Sequence, residues 1–189
     1  MIKIIEGNVN LTSLCLTKLL DLSDVEVMGW FICEHNNLTN LEGSPHTVGG
    51  SFFCRSNNLT SLIGAPKSVG GVFSCNKNPL LTNLIGSPTT VGSDYYCQYN
   101  QLPSLDGSPH TIVGDFYCNG NKLTSLSGAP QTVDGYFDCT RNNLTSLEGI
   151  PKTIGKCFHI DIELKDKFTE KYIRSLSNIK GEIVYITTY

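Results

Sequence analysis

Apolar and polar residues alternate in short bursts, and the burst recurs about every 21 residues. Six cysteines set the register: Cys33, Cys54, Cys75, Cys97, Cys118 and Cys139, at spacings of 21, 21, 22, 21 and 21. Two residues before each stands an aromatic: Phe31, Phe52, Phe73, Tyr95, Phe116 and Phe137. A period of two predicts a short strand with both columns facing inward. Three residues after each cysteine comes an asparagine, Asn36, Asn57, Asn78, Asn100, Asn121 and Asn142. Its amide can both donate to and accept from backbone groups where the chain leaves the strand. Two leucine columns follow, Leu38 to Leu144 and Leu41 to Leu147, then a glycine and a proline that turn the chain without a helix. A β-branched residue closes each unit, Val48, Val69, Val91, Ile112, Val133 and Ile154. A fixed period of this length predicts a solenoid whose neighbouring coils bury one another. The 22-residue step places a one-residue insertion near Pro79-Leu80.

The segment F-x-C-x-x-N-x-L resembles the leucine-rich repeat core L-x-L-x-x-N-x-L, with L-x-G-x-P resembling the short back of the bacterial type. The resemblance covers Trp30 to Ile160. It implies a mostly β, α/β-content solenoid with one parallel sheet on a concave face and an irregular, turn-rich convex side. The Asn-rich, Cys-for-Leu wording also resembles repeat proteins of tailed phages and large DNA viruses. No ubiquitin-ligase domain follows the repeats, unlike secreted bacterial effectors of the leucine-rich type.

One domain is expected, with residues 1–28 as an N-terminal cap, 29–160 as the repeats and 161–189 as a C-terminal helix-strand cap. Ile2, Ile4 and Ile5 predict a strand, and Thr12 or Ser13 starts a short helix reaching Leu22. At the other end Asp166 is expected to cap a helix with Phe168, Tyr172, Leu176 and Ile179 on one face. A strand over Glu182–Thr188 then either closes the last coil or pairs with a second copy, giving a monomer or a homodimer.

Composition narrows the function. The 189 residues are 40% apolar and 16% charged, with a net charge of −3. That is enough for one packed core, and it lacks the basic face a nucleic-acid binder needs. No segment reaches the ~18 apolar residues of a membrane span. Residues 1–8 lack a signal peptide's apolar stretch, so a cytoplasmic protein is expected, in the host cytoplasm if the viral resemblance holds. The six ladder cysteines are then read as reduced core thiols rather than disulfides, and no zinc-type spacing exists. Cys15 and Cys157 stand off the ladder.

Function is expected where the repeat leaves residues free. Outward positions lie one and three before each cysteine and one and two after it. They hold Trp30, Phe53, Asp94, Tyr96, Asp115, Tyr117, Tyr136, Asp138 and His159 on the leading side, and Arg55, Tyr99 and Arg141 on the trailing side. Clustered exposed aromatics mark contact surfaces, and Trp, Tyr and Arg dominate binding energy. A non-catalytic protein-binding scaffold is the expected function, with a host or host-defence factor as partner if the viral resemblance holds. The alternative is a sponge for a nucleotide-like molecule, stacked on aromatics beside Arg55, Lys77 or Arg141. An enzyme using Asp138 and His159 ranks last, because no nucleophile or oxyanion site accompanies them. No cofactor and no metal centre is expected. The stacked pair Asp94 and Asp115 favours a Lys- or Arg-bearing partner over a metal ion.

Overall fold

The computed structural model describes residues 2–188. The chain winds as a parallel β-solenoid in which almost every strand is two residues long. A front sheet of nine strands runs the length of the molecule, all pairs parallel and in strict repeat register. Phe31, Phe52, Phe73, Tyr95, Phe116, Phe137 and Phe158 stack along its inner side, with ring centroids 5.3 to 5.8 Å apart. The cysteine and leucine columns complete the core, nearly all at zero exposure. All eight cysteines are free thiols. Five ladder thiols donate to a carbonyl of the following coil, at 3.2 to 3.5 Å. A small residue with a weak donor therefore suits this position better than a plain hydrophobe.

The asparagine ladder does what its chemistry allows. The Asn78 amide donates to the carbonyls of Cys54 (3.3 Å) and Cys75 (2.8 Å), while its oxygen accepts the N–H groups of Asn57 and Leu59. The same pattern recurs at Asn57, Asn121 and Asn142.

The back of the solenoid is more regular than the repeat wording suggests. The β-branched residues sit in two-residue strands such as Thr47–Val48 and Thr132–Val133, which form a second parallel sheet line. It is broken once, into five and four strands, between Thr90–Val91 and Thr111–Ile112. The position after each β-branched residue is Gly49, Gly70 and Gly92, then Val113. A Cβ on Gly70 or Gly92 would lie 2.1 Å from the carbonyl oxygen of the coil before. Val113 and Asp134 bring such a Cβ; the ladder is open beside Val113 and closed beside Asp134, whose N–H donates to the Ile112 carbonyl, so the Cβ alone does not account for the break.

Residues 2–28 form a turn of the solenoid. Strand Lys3–Ile5 pairs with Val25–Val27 in the back sheet and Val9–Asn10 with Phe31–Ile32 in the front one. No helix occupies 12–22, because Ser13 and Cys15 adopt positive φ (58° and 56°), which breaks helical geometry. At the other end the helix is Glu170–Leu176, capped by the Thr169 hydroxyl rather than by Asp166. Its buried contact is Ile173, with Phe168 before it; Tyr172 and Leu176 are exposed and Ile179 belongs to a back strand. Strand Ile183–Ile186 pairs with Phe158–Asp161 and ends the front sheet.

Two residues after each ladder cysteine the backbone is left-handed, with φ of 55° to 59° at His35, Ser56, Lys77, Tyr99 and Arg141 and 69° at Gly120. A side chain in that conformation costs about 1 kcal/mol, partly offset by the flexibility glycine loses on folding. The exposed Lys77 tests this: Lys77→Gly is expected to raise stability by about 0.5 kcal/mol in urea denaturation. A fall in the urea midpoint would mean that contacts of the lysine outweigh the strain.

Candidate functional site: the outer face of the front sheet

The outer face divides into a leading side and a trailing side. On the leading side, the position three before each cysteine has a structural duty. The side-chain oxygens of Asn8, Ser51, Asp94 and Asp115 each accept the backbone N–H of the same position one coil on, at Trp30 (2.7 Å), Val72 (3.0 Å), Asp115 (2.8 Å) and Tyr136 (2.8 Å). These side chains fold over the residue before the next coil's position, which is why that residue is Gly29, Gly71, Gly114 and Gly135. A Cβ there would meet the capping oxygen at 2.0 to 2.5 Å. Sequence reasoning treated this column as free. The available signal was that its polar members are all short and oxygen-bearing.

The second oxygens of the two aspartates hold tyrosines. Tyr96 donates its hydroxyl to Asp94 Oδ2 (3.1 Å) and Tyr117 donates to Asp115 Oδ2 (3.3 Å). The two rings lie 5.2 Å apart on successive coils. Burial, and then the Asp94 charge, push the Tyr96 hydroxyl up to about 12. Burial and the Asp115 charge push Tyr117 up further. Both therefore remain protonated donors across the physiological range. Asp94 and Asp115 are thus tied into the sheet as well as presented on it.

Toward the N-terminal end the face opens into a hollow of about 430 Å³, lined by Trp30, Ile32, Phe53, Tyr96 and the trailing-side residues Glu34, Arg55, Asn76 and Gln98. Trp30 is 51% exposed and meets the Phe53 ring edge-on at 6.3 Å. Arg55 Nε pairs with Glu34 at 2.9 Å, which spends its charge inside the molecule. The Gln98 carbonyl oxygen is buried without a hydrogen-bond partner at the hollow's edge.

Toward the C-terminal end Tyr136 and His159 rings are 5.6 Å apart. His159 Nδ1 is 4.0 Å from Asp138 Oδ2, beyond hydrogen-bond reach, while Asp138 Oδ1 already accepts from the Thr140 N–H and hydroxyl. That arrangement holds the strand end and does not orient an imidazole. Tyr99 and Arg141 project from the trailing left-handed column, and the Arg141 N–H donates to Asp161. Some outward positions are not open at all: Ser51, Ser74, Asn76, Thr140 and Asp161 are buried, with the Ser74 hydroxyl donating to Asn76. The candidate residues therefore form two patches and a stacked tyrosine pair between them. Among the described residues, no group of three or more His, Cys, Asp and Glu side chains is arranged to hold a metal ion, and no helix is long and apolar enough to cross a membrane. Comparison of the chain with protein-family models, with curated proteins and with solved structures finds no match.

Proposed function

We propose that this chain is a non-catalytic recognition protein that grips a protein partner with the outer face of its front sheet. The observation that carries this reading is the hollow walled by Trp30, Phe53 and Tyr96, where an exposed tryptophan stands beside two half-buried rings on a strand frame. Exposed aromatic clusters of this kind cost solubility and are used for contact. The repeat wording supports a leucine-rich-type solenoid. If the resemblance to phage and large-virus repeat proteins is meaningful, the partner is a host or host-defence factor met in the cytoplasm. A second reading shares the same hollow: a nucleotide-like ring stacked between Trp30 and Tyr96, donating to the orphan Gln98 oxygen.

Affinity capture from the native host, followed by mass spectrometry of proteins and small molecules, separates the two. Trp30→Ala with Phe53→Ala is expected to reduce recovery of the specific protein at least about tenfold, with the fold unchanged by circular dichroism. The same protein recovered equally by wild type and double variant would defeat the first reading. A nucleotide eluting from wild type alone would favour the second.

A further inference from the structure

The outer face carries a row of aromatic rings with one member missing. In the column one before each ladder cysteine, Phe53, Ser74, Tyr96 and Tyr117 stand on four successive coils, paired in register. Ser74 is the one of these four without a ring, and it is only 4% exposed, sunk between its neighbours. Its hydroxyl donates to Asn76 Oδ1 at 2.7 Å, so its polar group is already satisfied. Phe53, Ser74 and Tyr96 all line the hollow of about 430 Å³. The hollow therefore opens where the row of rings is interrupted.

The chain itself shows the spacing such a row takes. The Tyr96 and Tyr117 rings, one coil apart, have centroids 5.2 Å apart. On the inner side of the same sheet, rings on successive coils lie 5.3 to 5.8 Å apart at interplanar angles of 8° to 33°. Phe53 and Tyr96 are the two sheet neighbours of Ser74, so they stand two strand steps apart, about 10 Å at their roots. A flat ring placed midway lies about 5 Å from each, which is the rung spacing found elsewhere in this sheet. Both walls are held in place: the Tyr96 hydroxyl donates to Asp94 at 3.1 Å, and the Phe53 ring meets Trp30 edge-on at 6.3 Å. Charge selects among flat rings. The one base lining the hollow, Arg55, pairs through Nε with Glu34 at 2.9 Å, so the lining has no surplus positive charge for a phosphate. A neutral aromatic side chain suits it better than a nucleotide.

We infer that the slot over Ser74, between Phe53 and Tyr96, takes one flat aromatic side chain of the partner protein as the missing ring of the row. The inference rests on the reading of this hollow as a protein-binding surface and names the group that enters it. An aromatic side chain seated in a pocket is also the kind of anchor that carries a large share of the energy of a protein interface.

Trp30, the chain's only tryptophan, lines the same hollow, so its emission reports filling of the slot. The intact protein is titrated with the end-blocked tripeptides Gly-Phe-Gly and Gly-Leu-Gly and with adenosine monophosphate. Gly-Phe-Gly is expected to change the Trp30 emission saturably and to bind about fivefold more tightly than Gly-Leu-Gly. Ser74→Phe supplies the missing ring from the chain itself and is expected to weaken that binding at least about tenfold, with far-UV circular dichroism unchanged. Tyr96→Ala removes one wall instead and is expected to weaken it to a similar degree. Equal binding of the two tripeptides, tighter binding of the nucleotide, affinity unchanged in both variants, or no saturable response to Gly-Phe-Gly would each overturn the inference. So would self-association of the wild type that Ser74→Phe abolishes, which assigns the slot to a second copy. If the captured native partner depends on Trp30 and Phe53 yet binds Ser74→Phe as well as wild type, the recognition reading stands and this inference falls alone.

Discussion

Raising the pH from about 8 to about 10 in reducing buffer is expected to destabilise the protein strongly. The cause is the thiol ladder. Burial raises Cys75 to about 12 and pushes Cys33, Cys54, Cys97, Cys118 and Cys139 well above the ordinary value of 9.0. A thiol is neutral when protonated, so the folded state holds these protons more tightly than the unfolded chain does. Their contribution is fully present below pH 9 and is lost above it, as the unfolded thiols ionise and the folded ones do not. Each such thiol favours the unfolded chain by about 1.4 kcal/mol per pH unit above the ordinary value of 9.0 that it has once unfolded. Six together reach roughly 8 kcal/mol one unit above 9, comparable to the ~5–15 kcal/mol of a whole domain. Buried Tyr95, also raised, acts in the same direction at higher pH. Urea midpoints read by far-UV circular dichroism at pH 8 and pH 10 measure the effect. Equal midpoints would refute it, and Cys97→Val is expected to move the alkaline limit upward.

Asn78→Ala is expected to cost at least about 2 kcal/mol, since the side chain is fully buried and bonds backbone groups of neighbouring coils, two of which have no other partner. Its loss strands the N–H groups of Asn57 and Leu59 in the core, while the Cys54 and Cys75 carbonyls keep one donor each, from the Asn57 and Asn100 amides. Alanine offers no acceptor and leaves little room for water to replace it. Each stranded group costs about 1–3 kcal/mol, and the coils on both sides share the damage. The exposed Asn143 is the control, with Asn143→Ala expected to stay within about 0.5 kcal/mol of wild type. Urea denaturation of both variants decides the matter; a loss below about 1 kcal/mol at position 78 would show that the ladder is dispensable.

What periodicity specifies was legible in the chain. Six copies of one phrase average out local noise, so the inward columns of phenylalanine, cysteine, asparagine and leucine could be assigned without geometry. The back strands were harder to see, because two β-branched or hydroxyl residues per turn carry no alternation of their own. The first coil is hard to recognise as one in the sequence because Asn8, Val9 and Leu11 fill the repeat's slots with different residue types. Thr169 won the helix cap over Asp166 because a turn through Lys165–Phe168 precedes the helix. On the outer face, Trp30, Phe53 and the tyrosines were identifiable by exclusion from the core. The capping duty of Asp94 and Asp115 was not, since it depends on an unpaired N–H that only the three-dimensional register reveals. Arg55 is likewise tied to Glu34 by a contact between coils.

The opening of the back sheet beside Val113 gives the stack a seam. In a solenoid each coil is held only by its two neighbours, so strength is local and the weakest joint limits how far order propagates. At every other joint both sheet lines cross from coil to coil; here the front line crosses alone. There the front sheet, the asparagine ladder and the stacked core rings hold the two halves together, and the front sheet bears Tyr96 and Tyr117 on either side of the joint. The joint that lacks a back-sheet pairing is thus the one that carries the stacked tyrosine pair.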